Sequence, residues 1–488
     1  MQSNAMRKGL ILSLAALLGA ASAGVSAADP ALDRAATAMG ATGLKSIRYS
    51  GDGVGYTFGQ AYKPGLPWPK INVRSFVRTV NYESGSMRDE IVFARGEALG
   101  GGGYAHVAPQ RNEQYVSGDF AWNQVANAPA AGPRFVADRV HQLWITPQGV
   151  IKAAIKNDAT VRHETRDGKS YAAASFTEPG RFKAVAFIGA NGLVDRVESR
   201  FPDPVLGDTA VVTTYSDYRD YSGVKFPARI TQSQGGFPLL DLTVKDVQPN
   251  AAVDIQLPDA VKTATERVTA DKVAEGVWFI AGSSHNSVAI EMKDYMILVE
   301  TPLNDGRSVP VIAQVKQLVP GKPIRYVINS HGHFDHSGGL RAAVAEGATI
   351  ITHAQNKPYY ERAFANANTI NPDSLAKSGK KARFKTVDEK LVLTDSTRTV
   401  ELYHVDDSHH SDNFLMVYLP KERLLIEADS FTPLPPNTPA PAQPNPLHAN
   451  LVDNLARLKV PVERILPLHG RVVPVADLYV AVGQSPTK

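Results

Sequence analysis

The residues best able to do chemistry lie close together in the second half of the chain. His331-Gly-His333-Phe-Asp335-His336 puts three imidazoles and a carboxylate within six residues, directly after the strand-like run 324–330. His331 and His333, two apart in an extended segment, point to one side. Asp335 and His336 fall at the start of a helix introduced by Ser337-Gly338-Gly339 and can reach a second point nearby. Zinc accepts nitrogen and oxygen ligands of this kind. A solvated His-rich turn is the plain alternative, but the apolar strand before the cluster and the glycines after it argue for a built site. Ten of the 13 histidines follow residue 265, so imidazole chemistry belongs to the second half.

His-x-His-x-Asp-His after a strand resembles the signature of the metallo-β-lactamase superfamily, and further motifs follow in that family's order. His410 in His409-His410-Ser-Asp-Asn is similar to the family's His-Ser segment leading into a strand. Asp429 ends Arg423-Leu-Leu-Ile-Glu-Ala-Asp429, and His469 ends Arg464-Ile-Leu-Pro-Leu-His469-Gly470; the gaps from His336 are 74, 19 and 40 residues. The resemblance implies an αββα sandwich over residues 266–488. It implies one ion on His331, His333 and His410, another on Asp335, His336 and His469, and Asp429 bridging them. Two zinc ions are expected, with iron as the alternative. Such a pair, roughly 3.5–4 Å apart, can share a water and lower its pKa towards neutrality. Asp335 is the expected catalytic residue, orienting the resulting hydroxide. The substrate is then a small molecule with an ester, lactone, thioester or related bond, since the true β-lactamases usually lack the bridging Asp. Glu300 stands where the family usually has an Asp that supports the ligand turn from behind. Two rival readings are a mononuclear iron oxygenase acting on a sulfur substrate through His331, His333, His410 and Asp429, and a lipid- or lipoprotein-binding protein with a vestigial metal domain.

Other residues are weighed beside this set. His409 rivals His410 through a one-residue slip; His353 and His404 border strands and read as structural; His448 reads as a surface residue. His285 and Asn286, in the loop 282–287, flank the expected site and are candidate substrate contacts, as is Tyr359. The segment 430–446 holds seven prolines and leaves directly from a ligand strand, so it should be a stiff, extended wall of the pocket.

The elements that must position these residues show two grammars. From about residue 266, strand-like runs alternate with helix-like ones (309–319 and 338–346), an α/β pattern. Over 28–265 short alternating runs are broken by turn residues, including the hairpin signals Asn191-Gly192 and Ser222-Gly223. Only 30–39 and 146–156 read as helical. This predicts a mainly antiparallel β domain, curled as a half-barrel, with a loose similarity in strand pattern to periplasmic lipoprotein carriers and room for an apolar ligand. Gly100 to Gly103 read as a flexible loop.

Composition bounds the rest. With 488 residues, 43% hydrophobic and 20% charged, the chain is globular and long enough for more than one core. The absence of Cys excludes disulfides, thiolate metal sites and cysteine nucleophiles. A formal charge of +4 without a basic block argues against nucleic acid. Residues 1–27 read as a short cloning remnant and an export signal: Arg7 and Lys8, an apolar run from Gly9, then cleavage after Ala23 or Ala27. The protein is therefore expected in the periplasm or outside the cell, without stable membrane insertion. The oligomeric state is not legible.

Overall fold

The computed structural model describes residues 30–101, 109–282, 284–436, 438–439 and 441–484; the expected export signal lies outside them. Residues Ala31–Lys488 form one compact unit.

The first half is a 13-stranded sheet whose paired strands are antiparallel, with its earliest strand in the middle. Ser46–Tyr56 pairs on one side with Lys70–Asn81 and on the other with Phe237–Pro249. Two meanders run outwards from this seam to edges at Ala128–Ala131 and Thr160–Arg166. Their tight turns use the left-handed backbone that glycine adopts freely, as at Gly192, φ +76°, in the hairpin between Phe182–Gly189 and Val194–Asp203. Helices Ala31–Ala38, Val136–Trp144 and Pro147–Lys156 lie on the sheet. Their Ala35, Leu143, Val150 and Ile151 join Ile47, Val80, Phe182 and Phe226 in a single core.

The second half has two sheets, seven-stranded and six-stranded. Ile297, Val299, Ile328 and Ile351 of the first meet Leu402, Val417, Ile426 and Ile465 of the second in a shared core. Helices Asp305–Leu318 and Leu340–Glu346 cover the outer face of the first sheet through Val311, Val315 and Leu340. Pro446–Leu458 and Ala476–Ala481 pack through Leu451, Leu455 and Leu478. This is the expected αββα sandwich, preceded by a mainly antiparallel β region.

Candidate metal centre

Strand direction gathers the site. Met296–Val299 runs parallel to Ile324–Ile328, and Leu424–Glu427 runs parallel to Arg464–Pro467. Segments leaving the C-terminal ends of such pairs emerge on one edge, and there lie Glu300, residues 329–336, Asp429 and His469. His410 comes from the loop that precedes Leu415–Leu419, which is antiparallel to Leu424–Glu427 and so begins on that same edge. Leu415 N donates to Ser330 O at 2.7 Å and ties the two sheets together beside the cluster.

Two groups of donors face each other across Asp429. In the first, His331 Nε2 lies 2.9 Å from His333 Nδ1 and 3.2 Å from His410 Nε2. In the second, His336 Nε2 lies 3.1 Å from His469 Nε2 and 3.8 Å from Asp335 Oδ2. Asp429 Oδ2 is 3.2, 2.9 and 3.3 Å from the ring nitrogens of His331, His336 and His410, and Oδ1 is 3.1 Å from His469. His331, His333 and His336 are buried, whereas the Asp335, Asp429 and His469 side chains keep 27, 20 and 19% exposure, so the opening lies on the second group's side.

The outer nitrogen of four of these rings is already engaged, which turns a lone pair inwards. His336 Nδ1 donates to Glu300 Oε2 at 2.8 Å. His331 Nδ1 donates to Ser330 Oγ at 2.9 Å, and that hydroxyl donates on to Glu300 Oε2 at 2.6 Å. His333 Nε2 donates to Ala61 O and His469 Nδ1 to Ser284 O, both at 3.1 Å. Burial, then the His336 and His333 rings, push His331 well below the usual His range, and burial, then His410, brings His333 to about 3. Both are thus neutral and able to ligate. His336 behaves oppositely: burial disfavours its charge, but the Asp429 and Asp335 carboxylates outweigh burial and raise it well above the usual range. Burial pushes Asp429 up, and the His336, His410 and His469 rings more than reverse this and hold it well below the usual carboxylate range. Asp429 Oδ2 is buried without a well-formed hydrogen bond. Inward lone pairs around a carboxylate that calls for positive charge fit one or two divalent cations.

All seven expected ligands are therefore brought together, and of the rival pair His410 is buried while His409 is exposed. His285 joins more closely than a substrate contact would. Its donor atoms lie within 4.8 Å of those of Asp335, His336 and His469, with Nε2 3.1 Å from Asp335 Oδ2. Asn286 is a correction: its amide donates to Pro467 O and Gly470 O at 3.1 and 2.8 Å, so it braces the backbone around His469 instead of facing a substrate. Tyr359 packs beside Tyr360 and near Gly65 of the first half. His448 is buried, not a surface residue, because it shares a helix face with Leu451, Val452 and Leu455 and meets the Phe431 ring edge-on at 4.9 Å. His353 and His404 stack on each other, 4.8 Å apart. Asn445, Pro446 and Leu447, where the Pro-rich segment ends, line a crevice at His410 with Arg95, Ala98 and Gly100.

Sequence reasoning missed the first half's share of the site. Gln60 Nε2 donates to Asp335 Oδ1 at 2.8 Å, and Ala61 supplies the acceptor for His333. Both lie in the loop 57–69, whose Phe, Tyr and Trp among Gly and Pro were the available signal. Gly101 packs against His333; Gly102 and Gly103 lie outside the described residues.

A family model described as "Metallo-beta-lactamase superfamily" matches residues 280–469. Among curated proteins, "2,4-dinitroanisole O-demethylase subunit alpha" of Nocardioides sp. (strain JS1661) is 24% identical over 163 residues, 33% of this chain and 46% of that protein. The chain thus spans less than half the length of that relative. Among solved structures, a metallo-β-lactamase from Pontibacter korlensis is 15% identical with a TM-score of 0.34, over 44% of this chain and 98% of that one. Another from Hirschia baltica is 20% identical with a TM-score of 0.33, over 44% and 95%.

Proposed function

We propose that the C-terminal half of the chain, where the metallo-β-lactamase superfamily model matches residues 280–469, is a metal-dependent hydrolase domain, and that the protein is an exported hydrolase holding two zinc ions and cleaving a small ester, lactone, thioester or related bond. The observation that carries this reading is the pair of donor groups sharing Asp429: His331, His333 and His410 on one side, Asp335, His336 and His469 on the other. Two bound ions would supply Lewis-acid polarisation of the scissile bond and lower the pKa of an attacking water.

The chain's own residues do the positioning. Gln60 occupies Asp335 Oδ1, leaving Oδ2 turned towards His285 and His336, where it can accept a proton from the attacking water. Ser284 Oγ lies 2.8 Å from His285 Nδ1, which leaves Nε2–H to donate to Asp335. Glu300 holds His336 directly and His331 through Ser330, so one carboxylate orients a ring in each group. Substrate enters from the more exposed side, past Asp335 and His469. Export rests on the pattern of residues 1–27; no described helix is long and apolar enough to cross a membrane.

The relative named as an O-demethylase favours a second reading, in which the bond cleaved is an aryl methyl ether. Metal content measured by plasma mass spectrometry, on protein purified without chelator or added metal, tests the proposal. Close to two zinc ions per chain, with turnover in a panel of lactones, thioesters and esters, is the expected result. A single iron per chain, with no hydrolysis in that panel, would overturn it.

A further inference from the structure

The loop 57–69 leaves the first sheet and lies on the His-rich turn. Phe58 and Trp68 meet the Phe334 ring edge-on at 5.2 and 5.6 Å, and Phe334 N donates to Gly59 O at 3.1 Å. Phe334 separates His333 from Asp335, so the loop grips the turn between one donor of each group. The next two residues then touch those donors: Gln60 through Asp335 Oδ1, Ala61 through His333 Nε2. A second segment closes over them. Gly101 N donates to Gln60 O at 3.0 Å, and Gly100 N donates to His409 O at 2.9 Å. A Cβ on Gly101 would stand 2.0 Å from Gln60 Oε1 and 2.6 Å from His333 Cε1, so only glycine lets the backbone come this close to both.

Asp335 has the most exposed side chain of the seven donors, so packing alone does not fix its rotation. The Gln60 amide ties one oxygen and presents the other to the cluster. As a neutral donor it does so without adding a positive charge that would compete with a cation.

We propose that Gln60 and Gly101 of the N-terminal half are positioning residues of the metal centre, Gln60 for the group containing Asp335 and Gly101 for His333 and for Gln60 itself. The affinity of each ion is then set partly by a sheet outside the metallo-β-lactamase domain. The inference rests on the two-ion reading above. Partners behind a ligand typically change metal affinity about 10–100-fold.

The test uses the full chain, loaded with cobalt and titrated with a competing chelator, alongside melting of the metal-free protein. Gln60→Leu is expected to weaken one ion about 10–100-fold and alter its visible absorption band, with the metal-free melting temperature unchanged. Gly101→Ala, whose methyl meets both Gln60 and His333, is expected to weaken both ions. Gly43→Ala, in the same half with nothing within 4 Å of its added Cβ, should match wild type. Wild-type affinities and spectrum for Gln60→Leu would overturn the proposal even if Gly101→Ala failed to fold. So would equal weakening of both ions by Gln60→Leu in step with a lower melting temperature. Failure of the wild type to bind two ions would instead bring down the two-ion reading, and the inference with it.

Discussion

Glu300 is fully buried, and four donors converge on its carboxylate: Ser330 N at 3.0 Å, Ser330 Oγ at 2.6 Å, His336 Nδ1 at 2.8 Å and Asn329 Nδ2 at 3.5 Å. Its backbone is left-handed, with φ +67°, a conformation that residues other than glycine rarely adopt. Glu300→Ala would strand those donors in the interior. We expect a loss of about 3 kcal/mol or more in urea denaturation, with metal affinity falling about 10–100-fold in chelator competition. The cluster 331–336 was legible from its residue types, and His410, Asp429 and His469 through the resemblance to the metallo-β-lactamase superfamily. Gln60 was not: it meets Asp335 across 275 residues, and a lone Gln in a loop announces nothing. His285 drew notice as a neighbour of the site, but its closeness to Asp335 and His469 depends on how two strand ends meet in space. His448 could have been placed correctly, since Leu451, Val452 and Leu455 follow it at helical spacing.

The strands of the first half were read largely as they occur, because alternation and the turns Asn191-Gly192 and Ser222-Gly223 are local signals. One helix was read short. It starts at Asp305, not 309, capped by Asn304 accepting from Arg307 N, and it tolerates Pro310 within the helix. Between that helix and the ligand turn lies a close approach that depends on glycine. A Cβ on Gly338 would stand 1.9 Å from Leu303 O, and one on Gly339 1.9 Å from Ser308 Oγ. In the sequence these glycines mark only the lead into a helix. Gly338→Ala must push the short helix Phe334–Ser337, with Asp335 and His336, away from its support. We expect at least about 3 kcal/mol of destabilisation, beyond the usual overpacking penalty because the contact is backbone, together with loss of one ion per chain in metal analysis.

At the scale of the molecule the two halves share more than the site. Asp208 of the first sheet accepts from Thr369 N, Thr369 Oγ1 and Ile370 N of the second half, at 3.0, 2.6 and 3.2 Å. The stability of the whole also depends on a group far from any donor. His141 is fully buried with Nδ1 unpartnered, shares a 2.8 Å hydrogen bond with Ser199 Oγ, and is brought by burial to about 3 from an ordinary 6.5. The unfolded chain therefore takes up a proton that the folded chain refuses. Stability from this group is complete above about pH 6.5 and is lost as the pH falls towards 3, on the order of 3–5 kcal/mol in all. Urea midpoints measured between pH 7 and 4 should fall more steeply for the wild type than for His141→Gln. The central seam of the large sheet has a different consequence, for how the molecule comes into being. Ser46–Tyr56 pairs with Phe237–Pro249, Ile47 opposite Pro249, so its partner is made roughly 200 residues later and closure is late and entropically costly. Until then the strand keeps one unpaired edge, a template for pairing with another chain. Whether a growing chain yields a usable molecule is therefore decided by how well that edge is shielded during synthesis or threading, before most of the histidines have been made.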